Sequence, residues 1–314
     1  MGSSLTDDLP DLVARATALA ETWALTRHLS ECEDVVAVPG GVGKATYRVG
    51  RGAISVALQI RALQPFHEPV AEAHTEWAAQ SASVPRLLAW GGLTTDRFYV
   101  FQWIDGEPAA VRMRRLEHAA REALLRRIGA AFANLCRIPT TRFGYFRHGL
   151  EGSNASWLDF VAQHLRRNVL RARRARAITR DLERRLLERL PSVHLYLPRC
   201  EQPRLVYVDV SLENVIVEAA SDRPVVVDHD YLISGDPGWV LARIDVLHGD
   251  TSLAAALTSE FREAVAATTC GLYRVCHALE LLLLEPGRGA QTPERRDRLV
   301  GLIARELDDW GLCS

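Results

Sequence analysis

The stretch "RLVYVDVSLENVIVEAASDRPVVVDHDYLISGDPGW", residues Arg204–Trp239, carries the most information about the fold. Two hydrophobic runs in it, "NVIV" and "PVVVD", predict the strands of a hairpin. Asp209 and Asn214 precede the first strand, and Asp228 ends the second. Phosphoryl transfer from a nucleotide needs a carboxylate that accepts the proton of the attacking hydroxyl, and oxygen ligands that hold Mg²⁺. The spacing D-x-x-x-x-N, followed by an aspartate at a strand end, supplies both.

Each of these three residues, taken alone, has the simpler interpretation of a turn or capping residue. Their order, spacing and hairpin context favour the catalytic interpretation. Asp236 is expected to tie the following helix to its loop. Asp230 stays open between a further Mg²⁺ ligand, a substrate contact and a solvated neighbour of Asp228.

A second informative stretch is "AVPGGVGKATYRV", residues 37–49. It is close to the phosphate-binding pattern G-x-x-x-x-G-K-[ST], but Val38 stands in place of the first glycine and Ala45 in place of the Mg²⁺-binding hydroxyl. It also joins two predicted strands, whereas that loop leads from a strand into a helix. The stretch therefore predicts a glycine-rich turn in a β-hairpin. Its lysine, Lys44, is the only lysine among 38 lysine and arginine residues.

The rest of the chain predicts a small sheet-containing lobe followed by a larger helical one. Apolar residues at helical spacing indicate an N-terminal helix over residues 5–30. Five strands follow, with a helix inserted after the third at Glu68–Ala82; the strands are "VVAVPGG", "KATYRVG", "ISVALQI", "RLLAWGG" and "RFYVFQWI". The loop "DGEP", Asp105–Pro108, marks the boundary. We therefore expect lobes over residues 1–104 and 105–314, the second with helices at about 113–137, 156–190 and from 240 onward.

Composition narrows the function classes. The chain has 314 residues, of which 48% are hydrophobic and 25% charged, and its formal net charge is −1. This balance provides no overall attraction to nucleic acid or to an anionic membrane, and no apolar run is long enough to span one. The first residues lack the basic and apolar regions of a signal peptide, and six cysteines without a C-x-x-C pair indicate reduced thiols. We expect a cytoplasmic protein with no nucleic-acid or membrane partner.

The arginine-rich segment Leu165–Leu190 raises the alternative of RNA binding. Its arginines are interleaved with leucine, valine and isoleucine at helical spacing, and acidic residues accompany them from Asp181 on. This pattern favours the solvated outer face of a helix. An RNA-binding role would require strongly salt-dependent binding.

Several motifs together resemble the aminoglycoside phosphotransferase and choline/fructosamine kinase family, whose members have the protein-kinase-like fold. "YVDVSLENVIV" corresponds to the family's "HGDLHPGNVLV", "VDHDYLISGDPGWVLA" to "IDWE…GDPAWDLA", and "GGVGKATYRV" to "GGxSNxTYRV". "VPRLLAW", "YVFQWIDGEP" and "RIPTTRFGYF" also follow in the expected order. The resemblance covers about residues 35–245. It implies a two-lobed α+β fold, with a five-stranded antiparallel sheet and one inserted helix in the smaller lobe.

The resemblance also implies roles for individual residues. Asp209 corresponds to the catalytic base, and Asn214 and Asp228 correspond to the ligands of Mg²⁺. Other residues are implied in nucleotide binding. Gly40, Gly41, Gly43 and Lys44 form the glycine-rich flap, and Gln59 occupies the position of the third-strand lysine. Glu72 or Glu76 is the helix carboxylate that orients this lysine, and Gln102, Trp103 and Ile104 form the hinge.

Three positions depart from the family pattern. Tyr207 replaces a histidine before the catalytic aspartate, Val240 replaces a structural aspartate, and Gln59 replaces the third-strand lysine. A neutral amide cannot balance the charge of the α- and β-phosphates. Lys44 can reach the same phosphates from the glycine-rich turn, as in a small group of protein kinases whose lysine has moved to that loop. Arg61 is the competing substitute, two residues from Gln59 and on the same strand face.

We therefore expect a Mg²⁺-dependent phosphotransferase that moves the γ-phosphate of ATP or GTP to a hydroxyl of a small molecule. An antibiotic such as an aminoglycoside and a sugar-like metabolite both fit, in resistance or in biosynthesis. Residues 236–314 contain 12 acidic residues and 8 arginines, which permits a cationic acceptor. The alternative is a pseudokinase, a nucleotide-binding or scaffold protein without turnover. The three departures favour it, and the retained Asp209, Asn214 and Asp228 oppose it.

Overall fold

The computed structural model of the chain describes residues 8–26, 32, 34–38, 44–51, 54–62, 74, 77–78, 83–93, 96–229, 231–249, 252–265, 269–283 and 292–310. The chain forms two compact units. The first comprises residues 1–115 and 211–230, and the second comprises residues 116–210 and 231–314. The division into lobes at residues 1–104 and 105–314 stays a prediction.

The described helices and strands are numbered in chain order. The strands are β1 (Val35–Val38), β2 (Lys44–Arg51), β3 (Ile54–Ala62), β4 (Leu87–Gly92), β5 (Asp96–Gln102), β6 (Gly106–Pro108), β7 (Phe143–His148), β8 (Glu151–Asn154), β9 (Arg204–Tyr207), β10 (Val215–Glu218), β11 (Pro224–Val226) and β12 (Leu232–Gly235). The α-helices are α1 (Asp8–Thr26), α2 (Ala109–Met113), α3 (His118–Leu135), α4 (Trp157–Arg174), α5 (Arg180–Arg189), α6 (Gly238–His248), α7 (Ser252–Val265), α8 (Gly271–Leu282) and α9 (Pro293–Asp309). Short 3₁₀ turns cover Leu190–Leu195 and Leu212–Asn214.

The first unit contains a five-stranded antiparallel sheet in the order β1-β2-β3-β5-β4. Because side chains alternate between the two faces of a strand, one face carries a continuous apolar surface. Val49, Leu58 and Val100 belong to this face and are fully buried, and they share a core with Ala16 and Ala20 of α1. The opposite face carries polar residues and lines a cavity. The five predicted strands and the N-terminal helix are confirmed.

The helix predicted after β3, Glu68–Ala82, lies mostly outside the described residues. His74, Trp77 and Ala78 are helical. His74 and Trp77 are both buried, so the described part of this helix contributes to the core of the first unit.

A second sheet of the first unit joins the predicted hairpin to a strand that the sequence does not predict. β10 pairs with β11 on one side and with β6 on the other. The sequence predicts a loop for "DGEP", but the edge of β10 offers backbone groups that residues 106–108 can pair with. Gly106 permits this approach, because a Cβ there would lie 2.3 Å from the carbonyl oxygen of Val217. The hairpin of β10 and β11 is confirmed.

The second unit contains a four-stranded sheet, in the order β8-β7-β12-β9, and most of the described helices. Its core is rich in aromatic residues: Trp157, Trp239 and Tyr273 are buried, and Nε1 of Trp157 donates to the hydroxyl of Tyr273 at 2.6 Å. The hydroxyl of Tyr273 donates to Oδ2 of Asp236 at 2.6 Å, and Oδ1 of Asp236 accepts from the backbone N–H of Gly238 at 2.8 Å. Asp236 therefore ties the start of α6 to the loop before it.

One predicted helix is divided in two. The pattern over residues 156–190 predicts a continuous helix, whereas the structure has α4 and α5. Arg176 lies between them with a φ of 55°, a left-handed conformation that a right-handed helix cannot include. Thr179 then caps α5 by accepting from the backbone N–H of Leu182 at 3.2 Å. The prediction of one uninterrupted helix is wrong at this break.

The arginine-rich segment carries acidic partners on its surface. Arg184 contacts Asp181 at 2.7 Å and Glu188 at 2.9 Å, and Arg173 contacts Glu183 at 2.9 Å. Such pairs are typical of a solvated helix face. In the described ranges of the chain, no helix has both the length and the hydrophobicity that crossing a membrane requires.

Candidate active site

The first unit contains a cavity of about 510 Å³ beside the polar face of its five-stranded sheet. All of the described residues that line it belong to this unit. The sheet contributes alternate residues of three strands: Lys44, Thr46, Ala57, Gln59, Arg61, Tyr99 and Phe101. The segment around the hairpin contributes Glu213, Asn214, Ile216, Val227, Asp228 and His229. A concave site of this volume accommodates a small-molecule ligand.

The cavity contains an ion pair between the only lysine of the chain and the predicted metal ligand. The ammonium of Lys44 contacts Oδ1 of Asp228. Lys44 is the first residue of β2, and its side chain is 7% exposed, compared with 21% for Asp228. Because a buried charge is costly without an opposite charge, each group makes the burial of the other less unfavourable.

The backbone conformation at Asp228 is unusual. Asp228 follows β11 and has a φ of 64°, in the left-handed region that residues other than glycine seldom adopt. Aspartate is among the residues that tolerate this region. A non-glycine residue held there costs on the order of 1–3 kcal/mol, and such residues cluster at functional sites. The conformation is therefore a second reason to assign Asp228 to a site.

Asn214 lines the same cavity from the 3₁₀ turn that precedes β10. The backbone carbonyl oxygen of Asn214 accepts from the backbone N–H of Val227 at 2.8 Å, so the residue before Asp228 is fixed to Asn214. The part of the chain that the structure describes holds no group of three or more His, Cys, Asp or Glu residues placed to bind a metal. Mg²⁺ beside a nucleotide needs fewer protein ligands, because phosphate and water oxygens complete its coordination. The Lys44 ammonium at Asp228 also shows that a cation fits against this carboxylate.

Gln59 and Arg61 lie on β3 and line the same cavity, as their spacing predicts. Arg61 is directly opposite Lys44 in the strand register. The guanidinium of Arg61 lies 4.2 Å from the ring centre of Tyr99, and the residue is 6% exposed, which is a cation–π contact. Two cations therefore line the cavity from adjacent strands, and Lys44 contacts Asp228.

Two buried histidines form a part of the cavity wall that the sequence patterns do not indicate. The ring centres of His74 and His229 are 4.6 Å apart, and Trp77 packs edge-on against both at 4.8 Å. Nε2 of His74 donates to the carbonyl oxygen of Pro85, and Nε2 of His229 to that of Val226, both at 2.9 Å. Burial lowers the pKa of His74 to about 4 and, together with the neighbouring His74, holds the pKa of His229 well below its usual range. Both rings are neutral at neutral pH.

The segment at the end of β5 forms an apolar side of the cavity. Gln102, Trp103 and Ile104 all line it, and the backbone N–H of Gln102 donates to the carbonyl oxygen of Arg86 at 2.8 Å. Ile104 is 9% exposed, and the guanidinium of Arg48 lies 5.0 Å from the centre of the Trp103 ring. A mostly apolar wall with a few polar groups is suited to a planar heteroaromatic ring.

Asp209 belongs to the second unit and follows β9. Its neighbours Val208 and Val210 are fully buried, whereas Asp209 is half-buried. The backbone N–H of Val208 donates to the carbonyl oxygen of Tyr231, and that of Val210 to the carbonyl oxygen of Val208, both at 3.0 Å. Buried valines and backbone hydrogen bonds therefore hold the chain on both sides of the Asp209 carboxylate.

The two other departures from the family pattern are packed into the core of the second unit. Tyr207 is buried, and its ring stacks on that of Phe132 with the centres 5.6 Å apart. Val240 lies in α6 and is 1% exposed. Both substitutions therefore exchange a polar side chain for a buried contact rather than leaving a gap.

Several residues that the sequence predicts for the site lie outside the described residues. They are Gly40, Gly41 and Gly43 of the glycine-rich turn, Glu72 and Glu76 of the inserted helix, and Asp230 after the hairpin. The predicted residues that the structure brings together around one cavity are Lys44, Gln59, Gln102, Trp103, Ile104, Asn214 and Asp228. Together with Arg61, which also lines the cavity, they provide two cations, a carboxylate, three amides and an apolar wall, a combination that suits an anionic ligand with a planar ring.

The sequence pattern of the phosphotransferase enzyme family (APH) matches residues 34–279. Among curated proteins, the chain has no match. Solved structures are similar to it. They include a thermostable mutant of the aminoglycoside phosphotransferase APH(4)-Ia in a ternary complex with ADP and hygromycin B, with 15% identity, a TM-score of 0.66, and coverage of 92% of this chain and 97% of that one.

Two further solved structures are similar to the chain. A putative fructosamine-3-kinase from Thermobifida fusca YX-ER1 has 20% identity and a TM-score of 0.59, and the match covers 87% of this chain and 93% of that one. The aminoglycoside phosphotransferase APH(3'')-Id from Streptomyces rimosus has 17% identity and a TM-score of 0.52, with 93% and 98% covered. At these identities the likeness concerns the fold, and it confirms the predicted protein-kinase-like α+β class.

Proposed function

The chain belongs to the phosphotransferase enzyme family, and on that premise we propose that it transfers the γ-phosphate of ATP or GTP to a hydroxyl of a small molecule, with Mg²⁺ as its metal. Membership of this family makes it a small-molecule kinase. The observation that carries the finer proposal is the contact between Lys44 and Asp228 in a cavity that Asn214 also lines. These are a phosphate-binding cation and two metal ligands at one site.

The cavity fits a nucleotide both in charge and in the nature of its walls. Lys44 and Arg61 offer positive charge to phosphates, and the segment Gln102–Ile104 offers apolar surface to a base. The similar APH(4)-Ia structure contains ADP, which supports the same class of ligand for this chain. The walls are compatible with ATP and with GTP.

Asn214 and Asp228 would hold Mg²⁺, because both line the cavity and both carry side-chain oxygen atoms of the kind that Mg²⁺ binds. When bound, the metal neutralises charge that develops on the transferred phosphoryl group. Asp228 is proposed as the main ligand because it is a carboxylate, whereas Asn214 offers the weaker oxygen of a neutral amide.

Lys44 is proposed to replace the lysine that the family carries on its third strand. Gln59 occupies that position and is neutral. Lys44 enters the same cavity from the neighbouring strand, where it contacts Asp228. Arg61 is held against the ring of Tyr99, and a guanidinium in such a stack is less able to follow a phosphate than a lysine on a flexible stem.

Asp209 is proposed as the general base. Its carboxylate accepts the proton of the acceptor's hydroxyl while that oxygen attacks the γ-phosphorus, and the bond from the γ-phosphorus to the β,γ-bridging oxygen breaks to release ADP or GDP. The fixed backbone at Val208 and Val210 limits the directions in which this carboxylate can point.

The acceptor is proposed to be a small molecule with a free hydroxyl, and a cationic aminoglycoside is the first candidate. The excess of acidic residues over arginine in residues 236–314 is compatible with a cation. Hygromycin B is the antibiotic in the similar APH(4)-Ia complex. Sugar-like metabolites form the second group of candidates.

The proposal is tested by a screen of aminoglycosides and sugar-like alcohols with γ-labelled ATP and GTP, read as transfer of label to the acceptor. We expect Mg²⁺-dependent transfer to at least one acceptor, and transfer that is about 10²–10⁴-fold slower in Asp209→Asn. Nucleotide binding without transfer to any acceptor would instead favour the pseudokinase. Absence of nucleotide binding at millimolar nucleotide with Mg²⁺ would contradict both functions.

A further inference from the structure

We propose that Lys44 and Mg²⁺ compete for Asp228, so that strong metal binding requires the nucleotide phosphates to hold Lys44 away from this carboxylate. The inference rests on the proposed function, because it concerns the same cavity. It adds a competition between Lys44 and the metal that neither the motif nor the fold specifies.

The geometry of the ion pair is the first reason. The Lys44 ammonium is in contact with Oδ1 of Asp228, one of the two oxygens that a metal ion would use. Mg²⁺ binds oxygen ligands at about 2.0–2.1 Å. A metal ion and an ammonium cannot both occupy the same side of this oxygen, and their like charges would repel each other strongly in a poorly solvated site.

The surroundings of Asp228 are the second reason. Both side chains of the pair are largely buried, at 7% and 21% exposure. Arg61 is held over Tyr99 at 4.2 Å. Lys44 thus supplies compensating positive charge in direct contact with the carboxylate, and a metal ion would have to displace that charge.

The attachment of Lys44 is the third reason. Its backbone is fixed in β2, opposite Arg61 of β3, while its charge sits on a stem of four rotatable carbons. The ammonium can therefore move within the cavity without a change in the sheet. Phosphate oxygens compete with Asp228 for this ammonium, because both are anionic acceptors of the same hydrogen bonds.

These contacts predict a positive coupling between nucleotide and metal. Phosphates that hold Lys44 release Asp228, and a metal ion at Asp228 releases Lys44 to the phosphates. Because binding coupling is reciprocal, each ligand should raise the affinity of the other. Removal of the ammonium should then have opposite effects on the two ligands.

The test measures Mn²⁺ binding by the electron paramagnetic resonance signal of free Mn²⁺, with and without ADP and with no acceptor present. We expect Lys44→Met to bind Mn²⁺ alone at least about 5-fold more tightly than the wild type, which is the lower end of typical coupling. We expect the same variant to bind ADP more weakly, and the increase in Mn²⁺ affinity caused by ADP to shrink. Lys44→Arg, which keeps the charge, should bind Mn²⁺ alone as the wild type does.

The matched control is Arg112→Met, which removes the cation of another ion pair in the same unit. Arg112 contacts Asp222 at 2.5 Å and does not line the cavity. It should leave Mn²⁺ binding unchanged. Lys44→Gln serves as a second neutral variant if Lys44→Met does not fold, as judged by circular dichroism.

Two results separate failure of this inference from failure of the proposed function. If the folded neutral variants bind Mn²⁺ alone no better than the wild type, while the wild type still binds ADP and Mn²⁺ together, Lys44 does not compete with the metal and the inference is overturned. If the wild type binds no ADP with or without Mn²⁺, the nucleotide site itself is wrong.

Discussion

Asp228 in the first unit and Glu280 in the second are both largely buried carboxylates, but their partners differ in kind. Asp228 contacts the ammonium of Lys44 in a cavity. Glu280 lies in α8 within a core and accepts hydrogen bonds or ion contacts from several groups fixed in that core: the Tyr231 hydroxyl, His164 at 3.2 Å, His277 at 3.4 Å and Arg243 at 3.5 Å.

The difference separates a structural carboxylate from one available to a ligand. Burial would raise the pKa of Glu280, but the charge and hydrogen bond of His164, with His277 and Arg243, outweigh it and hold the pKa well below its usual range. Its partners are rings and a guanidinium that pack in the core, so exchange for a ligand would break that packing. The partner of Asp228 is a flexible ammonium at a cavity, which can move aside.

The largest expected effect is on activity at Asp228. We expect Asp228→Asn to lower kcat by about 10³-fold or more, because a lost transition-state charge contact typically costs about 10²–10³-fold and the proposed metal site keeps only the weaker oxygen of a neutral amide at this position. Asp222→Asn is the matched control. Asp222 is also an aspartate of the hairpin with a positive φ, at 55°, and it pairs with Arg112. Its activity should stay within about twofold of the wild type in the same steady-state assay.

Excess Mg²⁺ decides whether Asp228 is the main ligand. The Asp228→Asn variant should stay inactive when the Mg²⁺ concentration is raised tenfold. Full recovery would reduce Asp228 to a supporting residue and weaken the contrast with Glu280.

Asp209 provides a third carboxylate, one that is fixed through its backbone rather than through an ion pair. We expect Asp209→Asn to lower kcat by about 10²–10⁴-fold, the usual contribution of a general base. The Kd for nucleotide should change little, because a general base acts on the acceptor's hydroxyl in the transition state and not on the bound nucleotide. Turnover is measured by label transfer and affinity by titration calorimetry. A collapse in nucleotide affinity with unchanged kcat would show that the role is wrong.

For Glu280 the expected effect is on stability. Glu280→Ala should lower the free energy of unfolding by about 3–5 kcal/mol, because removal of one partner leaves buried charges uncompensated. The control is Glu188→Ala, which removes an exposed carboxylate paired with Arg184 and should cost at most about 0.5 kcal/mol. Urea titration measures both. A Glu280→Ala variant as stable as the control would remove the structural side of the comparison.

A smaller effect on the free energy of unfolding is expected when the pH is lowered. The pKa of His74 is about 4 in the folded chain because of burial, whereas a histidine in an unfolded chain titrates near about 6.5. The unfolded state therefore binds more protons between these values, and stability falls as the pH decreases from about 6.5 to 4, by roughly 2–3 kcal/mol for this residue. His74→Gln should lose that part of the decrease, and His148→Gln, at an exposed position, should keep it. Urea titrations at pH 7 and pH 4.5 give the free energy of unfolding at each pH, and the decrease between the two is compared among the variants.

The elements that sequence could predict are those in which local pattern and tertiary environment agree. Alternation in "KATYRVG" and "ISVALQI" predicts the strands, and the spacing of Gln59 and Arg61 predicts that both face one side. The hydrophobic runs between Asn214 and Asp228 predict the hairpin, and the order Asp209, Asn214, Asp228 predicts the polar residues at its ends. These features follow from neighbours a few residues apart in the chain.

The features that sequence could not predict depend on distant partners. β6 forms because residues 106–108 meet the edge of β10, more than a hundred residues later. The pairing of His74 with His229 joins residues far apart in the chain. The only local feature of the sequence that points to it is the three-residue spacing of His74 and Trp77, which places both on one face of a helix. The break at Arg176 depends on a single residue in the left-handed conformation, and arginine has no special preference for that conformation from which the break could be predicted. The contact of Lys44 with Asp228 likewise joins two motifs that are separate in the sequence.

The most direct test of the central claim, that Lys44 has replaced the third-strand lysine, is the Kd for ATP in the presence of Mg²⁺ of the wild type, Lys44→Ala and Lys44→Ala/Gln59→Lys. Loss of a charge-assisted hydrogen bond should weaken binding by about 10–100-fold in Lys44→Ala. The added lysine at position 59 lines the same cavity and should restore part of the affinity, while Arg61→Ala alone should have a smaller effect. An unchanged Kd for Lys44→Ala would contradict the claim.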